Sequence, residues 1–382
     1  MKIGFDAKRA NANNTGLGNY SRFVISALAE YATSNCYQLY IPKRKENREY
    51  DQLYRDFPTL IEERLPSTSL WRTLSALWRT LTIKSDLERE GVEIFHGLSN
   101  EIPVGLDDSS VQSIVTIHDL IFLRYPSFYK PMDRWIYDLK FRYACQHSDH
   151  IIAVSERTKL DIVELYGIEP ARISVIYQGC APHFAEPQSA ERQREVRTKY
   201  SLPDRYILNV GTLEERKNLL LCVKSLESLP EDIHLVAVGR ATPYSEEVMR
   251  YAEWKGLSSR ITLLHKCQYV DLPVVYSAAE VFLYPSLYEG FGIPIIEALN
   301  GGIPVVAATG SCLEEAGGDA ATYVAPDDDK ACAAAVAHFI EDRDYREESI
   351  AKGREYVKRF SKELIANEIE SLYKEILSRQ NP

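Results

Sequence analysis

Tyr284-Pro-Ser-Leu-Tyr-Glu289-Gly-Phe-Gly-Ile-Pro294-Ile-Ile-Glu297-Ala sets two glutamates seven residues apart, with a Gly-Phe-Gly-Ile-Pro turn between them. The preceding Glu280-Val-Phe-Leu-Tyr284 has the pattern of a short buried strand. Pro294 suits the first position of a helix, where its missing N–H costs nothing. The spacing then predicts Glu289 in the loop before the helix and Glu297 in its first turn. Backbone N–H groups around Phe291, Gly292 and Ile293 would point from the helix N-terminus, an end that binds anions and phosphate above all. A carboxylate on each side of a phosphate site suits a ligand with both phosphates and hydroxyls, such as a nucleotide sugar. Taken singly, each feature has an ordinary explanation: a glutamate that complements the helix dipole, or a Gly-Pro turn. Their order, Glu-Gly-Phe-Gly-Ile-Pro-x-x-Glu, is far more specific.

Short apolar runs alternate with helical patterns on both sides of this stretch. Candidate strands are Lys2–Phe5, Tyr37–Ile41, Ile94–His96, Ser113–Ile117 and His150–Val154, with helices at Asn19–Tyr31 and Arg134–Cys145. After a polar pause from Gln178 to Pro203 the alternation resumes with Tyr206–Val210, His234–Val238, Ile261–Leu264, Val281–Tyr284 and Val305–Ala307. Such alternation implies an α/β fold with parallel sheets flanked by helices. We expect one domain over residues 1–180, a linker over 181–201, a second domain over 202–360 and a final helix within 361–382. Apolar residues at Leu364, Ile365, Ile369, Leu372, Tyr373 and Leu377 make that last helix amphipathic.

The chain of 382 residues is long enough for two cores. Its net charge of −10 argues against nucleic acid as a partner, which would need a basic face. Seven cysteines, odd in number and with no Cys-x-x-Cys pair, read as reduced core thiols of a cytoplasmic protein. The N-terminus has the pattern of a strand start rather than a signal peptide, and no apolar run approaches the roughly 20 residues of a membrane span.

The glutamate motif resembles the signature of retaining glycosyltransferases, in particular glycosyltransferase family 4, and the resemblance extends over nearly the whole chain. It implies the GT-B architecture: two Rossmann-like domains facing each other across a cleft, the acceptor mainly on the first and the donor mainly on the second. A final helix commonly crosses back onto the first domain. The resemblance further implies a hexose, of mannose or glucose type, moved from a nucleoside diphosphate sugar (GDP or UDP) to a saccharide or glycolipid acceptor. Glu289 would then hold hydroxyls of the donor sugar and Glu297 the ribose.

Four other stretches carry candidate chemistry. Gly211-Thr-Leu-Glu-Glu-Arg216-Lys217-Asn218 follows a strand and places a guanidinium beside an ammonium. From spacing alone, a solvated charged turn is an equal reading. Family members carry an Arg and a Lys here that bind the donor diphosphate, which assigns that task to Arg216 and Lys217. Glu214 and Glu215 should point away, since acids beside a diphosphate repel it. Gly16-Leu-Gly18 opens a helix but departs from a dinucleotide fingerprint, with Ser21 where a third glycine belongs and too long a gap after the strand. Close backbone approach to a ligand is the better physical reading, and in the family a glycine-rich loop here closes over the diphosphate and sugar. His118-Asp119 ends a strand, where α/β sites lie; in the family a histidine at this place faces the donor sugar. Asp119 would orient it or meet the acceptor. His96 and Asn100, after another strand, are further acceptor candidates.

Trp71, Leu74, Trp78 and Leu81 fall at helical spacing with Arg72, Arg79 and Lys84 nearby. A core-packing helix is the commoner reason for such a stripe; a weak peripheral contact with the inner membrane face is the other. Asp327–Asp329 fits a helix cap rather than a metal motif. No cofactor is expected, and the activity should be metal-independent, with helix end and cations in place of the metal. Rival readings are a sugar-nucleotide epimerase or hydrolase on the same architecture, a non-catalytic nucleotide-sugar-binding protein, and a nicotinamide oxidoreductase, which the defective fingerprint disfavours.

Overall fold

A computed structural model describes residues 1–68, 71, 73, 74 and 77–379. Two compact units emerge: residues Met1–Gly179 with Phe360–Pro382, and Cys180–Arg359.

The first unit is built on seven parallel strands: β1 (Lys2–Asp6), β2 (Cys36–Tyr40), β3 (Ile61–Arg64), β4 (Ile94–Gly97), β5 (Gln112–Ile117), β6 (His150–Ala153) and β7 (Ile173–Val175). Their order is β3-β2-β1-β4-β5-β6-β7. Pairing is parallel throughout, with Lys2 opposite Cys36 and Ile3 opposite Ile94. Because side chains alternate along a strand, the central strands β4, β5 and β6 each feed two cores. Ile94, Ile114 and Ile152 enter one core, with the helix Gly16–Tyr31 and the C-terminal helix Lys362–Ser378. Phe95, Val115 and Ile151 enter the other, with Trp78, Ala144 and Ile162. This two-sided burial explains why the strands are continuous apolar runs.

The C-terminal helix buries Ile365, Ile369, Leu372 and Tyr373 within this first unit. Ser361 caps it by accepting from the Leu364 N–H. Of the stripe at 71–81, Trp78 is buried in the core and its indole donates to Asp86 at 2.7 Å, while Leu74 and Leu81 are exposed. The backbone takes a π-helical turn over Trp78–Thr82, which rotates the register between Trp78 and Leu81. Arg72 lies outside the described residues.

The second unit has six parallel strands: β8 (Tyr206–Val210), β9 (His234–Val238), β10 (Ile261–Leu264), β11 (Val281–Tyr284), β12 (Val305–Ala308) and β13 (Ala321–Val324), in the order β10-β9-β8-β11-β12-β13. The stretch 181–201, expected as a linker, belongs to this unit. Phe184 packs its ring against Tyr269 and Tyr276. The helix Ala190–Tyr200 is pinned through Arg192, Lys199 and Tyr200, all bonded to the buried carboxylate of Asp271. Charge that looked like solvated linker sequence is thus spent on one buried acid.

Strands missed from the sequence are β3, β7 and β13. In β3 and β7, Glu62, Glu63, Arg64 and Ser174 break the apolar pattern, as edge strands tolerate. Among the described residues no helix is long and apolar enough to cross a membrane.

Candidate active site

In the second unit the chain runs outward from β8 and β11 in opposite directions. This is a topological switch point, outside whose carboxyl ends open parallel sheets bind ligands. The loop after β8 carries Gly211 to Asn218; the loop after β11 carries Pro285 to Gly292. The two loops are stitched together. The Leu287 N–H donates to the Arg216 carbonyl at 2.8 Å. Asn218, in the left-handed region at φ 56°, donates to the carbonyls of Pro285 (3.1 Å) and Pro326 (2.7 Å).

That stitching brings Arg216, Lys217 and Glu289 together. Glu289 Oε2 lies 2.8 Å from Arg216 Nη1, and Oε1 lies 2.5 Å from Lys217 Nζ. Lys217 also donates to the Tyr284 hydroxyl at 2.7 Å, and that hydroxyl donates to Glu289 at 3.2 Å. Burial would raise the Glu289 carboxyl, but Arg216 and Lys217 outweigh it and hold its pKa at about 2. Burial, with Arg216 beside it, pulls Lys217 below the usual lysine range against the pull of Glu289. Arg216 donates further to the Tyr288 carbonyl (2.6 Å) and to Glu214 (2.8 Å). Glu214, expected to point away, thus turns toward Arg216, because a guanidinium paired with Glu289 still has an N–H fork to offer. Gly211 has φ 151°, a backbone conformation that L side chains rarely adopt, and lies against the Lys217 side chain.

The second glutamate sits elsewhere on the helix than expected. The helix runs Ile293–Asn300 with Gly292 as its N-cap, so Pro294 is the second residue and Glu297 lies in the second turn. Too far along to complement the dipole, Glu297 loses the ordinary explanation for a glutamate there. It is buried and accepts from the Tyr276 hydroxyl at 2.9 Å; burial raises its pKa to about 7 despite that bond. Gly292 has φ 122°, and a Cβ there would come 3.1 Å from Leu313 Cδ2 and 3.2 Å from Ala316 Cβ. The buried Cys312 thiol bonds to the carbonyls of Glu289 and Phe291, both at 3.1 Å, and so fixes the turn between the glutamates. Tyr276, Tyr284 and Cys312 escaped the sequence reading. Only Tyr284, ending a strand beside the motif, carried a signal. Asp328, within Asp327–Asp329, caps the helix Asp329–Glu341 as expected.

The first unit separates the remaining candidates. Gly16 begins the helix Gly16–Tyr31, is exposed and has nothing within 4 Å of where a Cβ would stand. Gly18 has a different reason to be glycine: a Cβ there would sit 1.8 Å from the Asn13 carbonyl oxygen. Buried Arg22 clasps the same loop through the carbonyls of Ala10 (2.9 Å) and Asn13 (2.8 Å).

His118 follows β5 and is buried, with both ring nitrogens bonded. Nε2 meets the Leu98 carbonyl at 2.9 Å; a carbonyl only accepts, so Nε2 carries the proton and Nδ1 accepts from Gln178 at 2.9 Å. Burial lowers its pKa to about 4, although the Leu98 bond opposes. The arrangement gives a neutral imidazole locked in one tautomer. Asn100, an acceptor candidate, instead receives the His118 N–H on Oδ1 at 2.7 Å and so positions that loop. His96 is fully buried between Tyr373 of the C-terminal helix (2.7 Å) and Thr116 (2.8 Å), a core histidine rather than an acceptor contact. Asp119 Oδ1 accepts from the Ile121 N–H at 3.1 Å, closing the turn after His118.

Comparison with known proteins gives the family and the fold. The family described as Glycosyltransferase Family 4 matches residues 24–184, and that described as Glycosyl transferases group 1 matches residues 191–356. The O-antigen chain mannosyltransferase B of Escherichia coli is 30% identical over 289 residues, covering 74% of each chain. The O-antigen chain mannosyltransferase RfbU of Salmonella typhimurium is 28% identical over 66% of this chain and 68% of its own. Among solved structures, Anabaena HepE in complex with UDP and glucose superposes with TM-score 0.74 at 18% identity, over 98% of this chain and 100% of that one. Sucrose-phosphate synthase from Thermosynechococcus elongatus gives 0.77 at 21%, over 99% and 100%. By sequence the chain belongs to glycosyltransferase family 4, and its fold is GT-B.

Proposed function

We propose that this glycosyltransferase is a retaining, metal-independent hexosyltransferase that moves a mannose-type hexose from a nucleoside diphosphate sugar to a saccharide or glycolipid acceptor during cell-surface polysaccharide synthesis. The observation that carries the reading is the buried cage of Arg216, Lys217 and Glu289 at the switch point of the second unit. The mannosyltransferase relatives support the choice of hexose and the pathway class.

In this reading Arg216, Lys217 and the backbone at Phe291–Ile293 stabilise the diphosphate as it leaves. The bond from the anomeric carbon to the diphosphate oxygen breaks, and charge grows on that oxygen, so preorganised donors lower the barrier. The acceptor hydroxyl oxygen bonds to the anomeric carbon, and its proton passes to the leaving phosphate. Attack on the face that the diphosphate leaves retains configuration without a covalent nucleophile. Glu289 accepts from hydroxyls of the donor sugar and Glu297 from the ribose. Gly16 gives backbone access on the first unit, and His118, neutral and fixed, shapes a sugar contact there rather than moving a proton. Metal independence follows in this reading from Arg216, Lys217 and the backbone N–H groups at Phe291–Ile293, which would carry the charge a metal carries elsewhere.

The test is a melting-temperature screen with UDP, GDP, ADP and their hexose conjugates, with and without magnesium, followed by transfer to a mannose-terminated oligosaccharide. A ligand at 100 times its Kd adds about 2.7 kcal/mol. A rise with one base, indifferent to chelator, and an α-linked product from an α-linked donor are expected. No rise with any nucleotide would sink the transferase reading; a need for magnesium would sink its metal-independent form.

A further inference from the structure

The first unit has a switch point of its own, between β1 and β4. Asp6 ends β1, and Ala7, Lys8 and Arg9 follow it; Leu98, Ser99, Asn100 and Glu101 follow β4. Arg79, from the π-helical turn, bonds to both Asp6 and Glu101, and Glu101 also takes Lys140 at 3.1 Å. Two carboxylates are thereby matched by two cations.

Lys8 and Arg9 are left over. Both are half-buried, and among the described residues neither side chain makes an ion pair or a hydrogen bond. Burial and the nearby Arg79 hold Lys8 below the usual lysine range, against the pull of Glu101 and Asp6. Arg9 acts electrostatically on both Lys8 and His118. A solvated surface pair would turn into water. Here, two cations lacking partners stand beside a third, where the topology calls for a ligand.

We propose that Lys8 and Arg9 form an anion subsite that takes a phosphate or diphosphate group carried by the acceptor. This rests on the reading that the first unit serves the acceptor. A neutral saccharide would need no cation here, whereas a lipid-linked diphosphate saccharide or a soluble sugar phosphate would. Leu77, Leu81 and Leu139 are exposed apolar residues near Arg79 and Lys140 in sequence.

The experiment is calorimetric titration of the full chain with inorganic pyrophosphate while the preferred nucleoside diphosphate saturates the second unit. Lys8→Met with Arg9→Gln should weaken pyrophosphate about tenfold to a hundredfold, the loss expected when bonds to a charged group are removed. Nucleotide affinity and melting temperature should stay at wild-type values, and Lys8→Arg alone should keep the binding. Farnesyl diphosphate binding more tightly than pyrophosphate assigns the anion to a lipid-linked acceptor; equal affinities assign it to a soluble phosphate. Unchanged pyrophosphate affinity in the double variant overturns the subsite, as does absence of pyrophosphate binding to the wild type. Failure of every nucleotide to bind would instead strike the donor reading, and the comparison of wild type with double variant would still decide the subsite.

Discussion

Replacing Glu297 by glutamine should stabilise the ligand-free protein and weaken the donor together. Burial lifts the Glu297 carboxyl to about 7, above its ordinary 4.5, with the Tyr276 bond pulling the other way. A carboxyl raised on folding costs stability. Below pH 4.5 both states are protonated and there is no cost. As pH rises from 4.5 to 7 the unfolded chain ionises first, so stability falls, and above 7 the loss is complete. At about 1.4 kcal/mol per pKa unit the loss is about 3 kcal/mol. Glutamine removes the charge and keeps an acceptor for Tyr276, so Glu297→Gln should recover much of it. At about 2–4 °C per kcal/mol for a domain of this size, melting should rise by up to roughly 10 °C at pH 8. Scanning calorimetry at pH 8 and pH 4.5 measures this, and the two curves should converge at the lower pH. The donor KM should rise about tenfold to a hundredfold through the lost charge-assisted bonds. A variant melting at or below wild type at pH 8, or a gap that persists unchanged at pH 4.5, would refute the reasoning.

The other sites give shorter tests. His118, neutral and doubly bonded, should show flat imidazole ¹⁵N shifts from pH 8 down to 5, protonated at Nε2; a midpoint near 6.5 would contradict the network. Because its pKa is lowered to about 4, its contribution to stability should be full above 6.5 and lost as pH falls from 6.5 to 4. Gly292→Ala must place a side chain at φ 122° against Leu313 and Ala316, and should cost about 1–3 kcal/mol in denaturant unfolding; a neutral change would mean the turn relaxes freely. Arg216→Ala should depress kcat about tenfold to a hundredfold with a smaller effect on donor KM, since its partner charge grows in the transition state. Intact turnover would move the diphosphate elsewhere.

The candidate site of the second unit was legible in the sequence because each half of it is local. Glu289 and Glu297 share one loop and helix, and Arg216 and Lys217 share another, so each pair shows as spacing. That the loops meet through Leu287, Asn218 and Tyr284 is a matter of strand order, and spacing does not carry it. His96 shows the opposite case. Its position after an apolar strand resembles that of His118, but it lies within β4 rather than beyond it, and a partner from the distant C-terminal helix turns it into core. Gly18 differs from Gly16 by two positions, yet it is the fold, not the spacing, that sets the Asn13 carbonyl against it. The stretch 181–201 looked like a linker because a polar, charged run interrupts the strand–helix alternation there, and the buried acid that gathers its charges, Asp271, lies far along the chain.

Glu289 has two competing demands on its carboxylate. Glu289 is proposed to hold sugar hydroxyls, yet its carboxylate pairs with the two cations proposed to hold the diphosphate. Two cations buried side by side need a counter-ion, and removing one partner of such a cluster costs about 3–5 kcal/mol. Glu289 supplies that charge until the donor arrives. A diphosphate brings its own charge, takes over Arg216 and Lys217, and leaves Glu289 needing donors in a buried place. The hexose hydroxyls are those donors; a bare nucleoside diphosphate has none there. Wild type should therefore bind the sugar nucleotide more tightly than the matching diphosphate, whereas Glu289→Gln, which has no displaced charge to satisfy, should bind the two alike. The ratio of the two dissociation constants in wild type and variant measures this exchange. An undiminished ratio in Glu289→Gln would show that Glu289 serves only as the counter-ion of Arg216 and Lys217, and the sugar would have to be held by other groups.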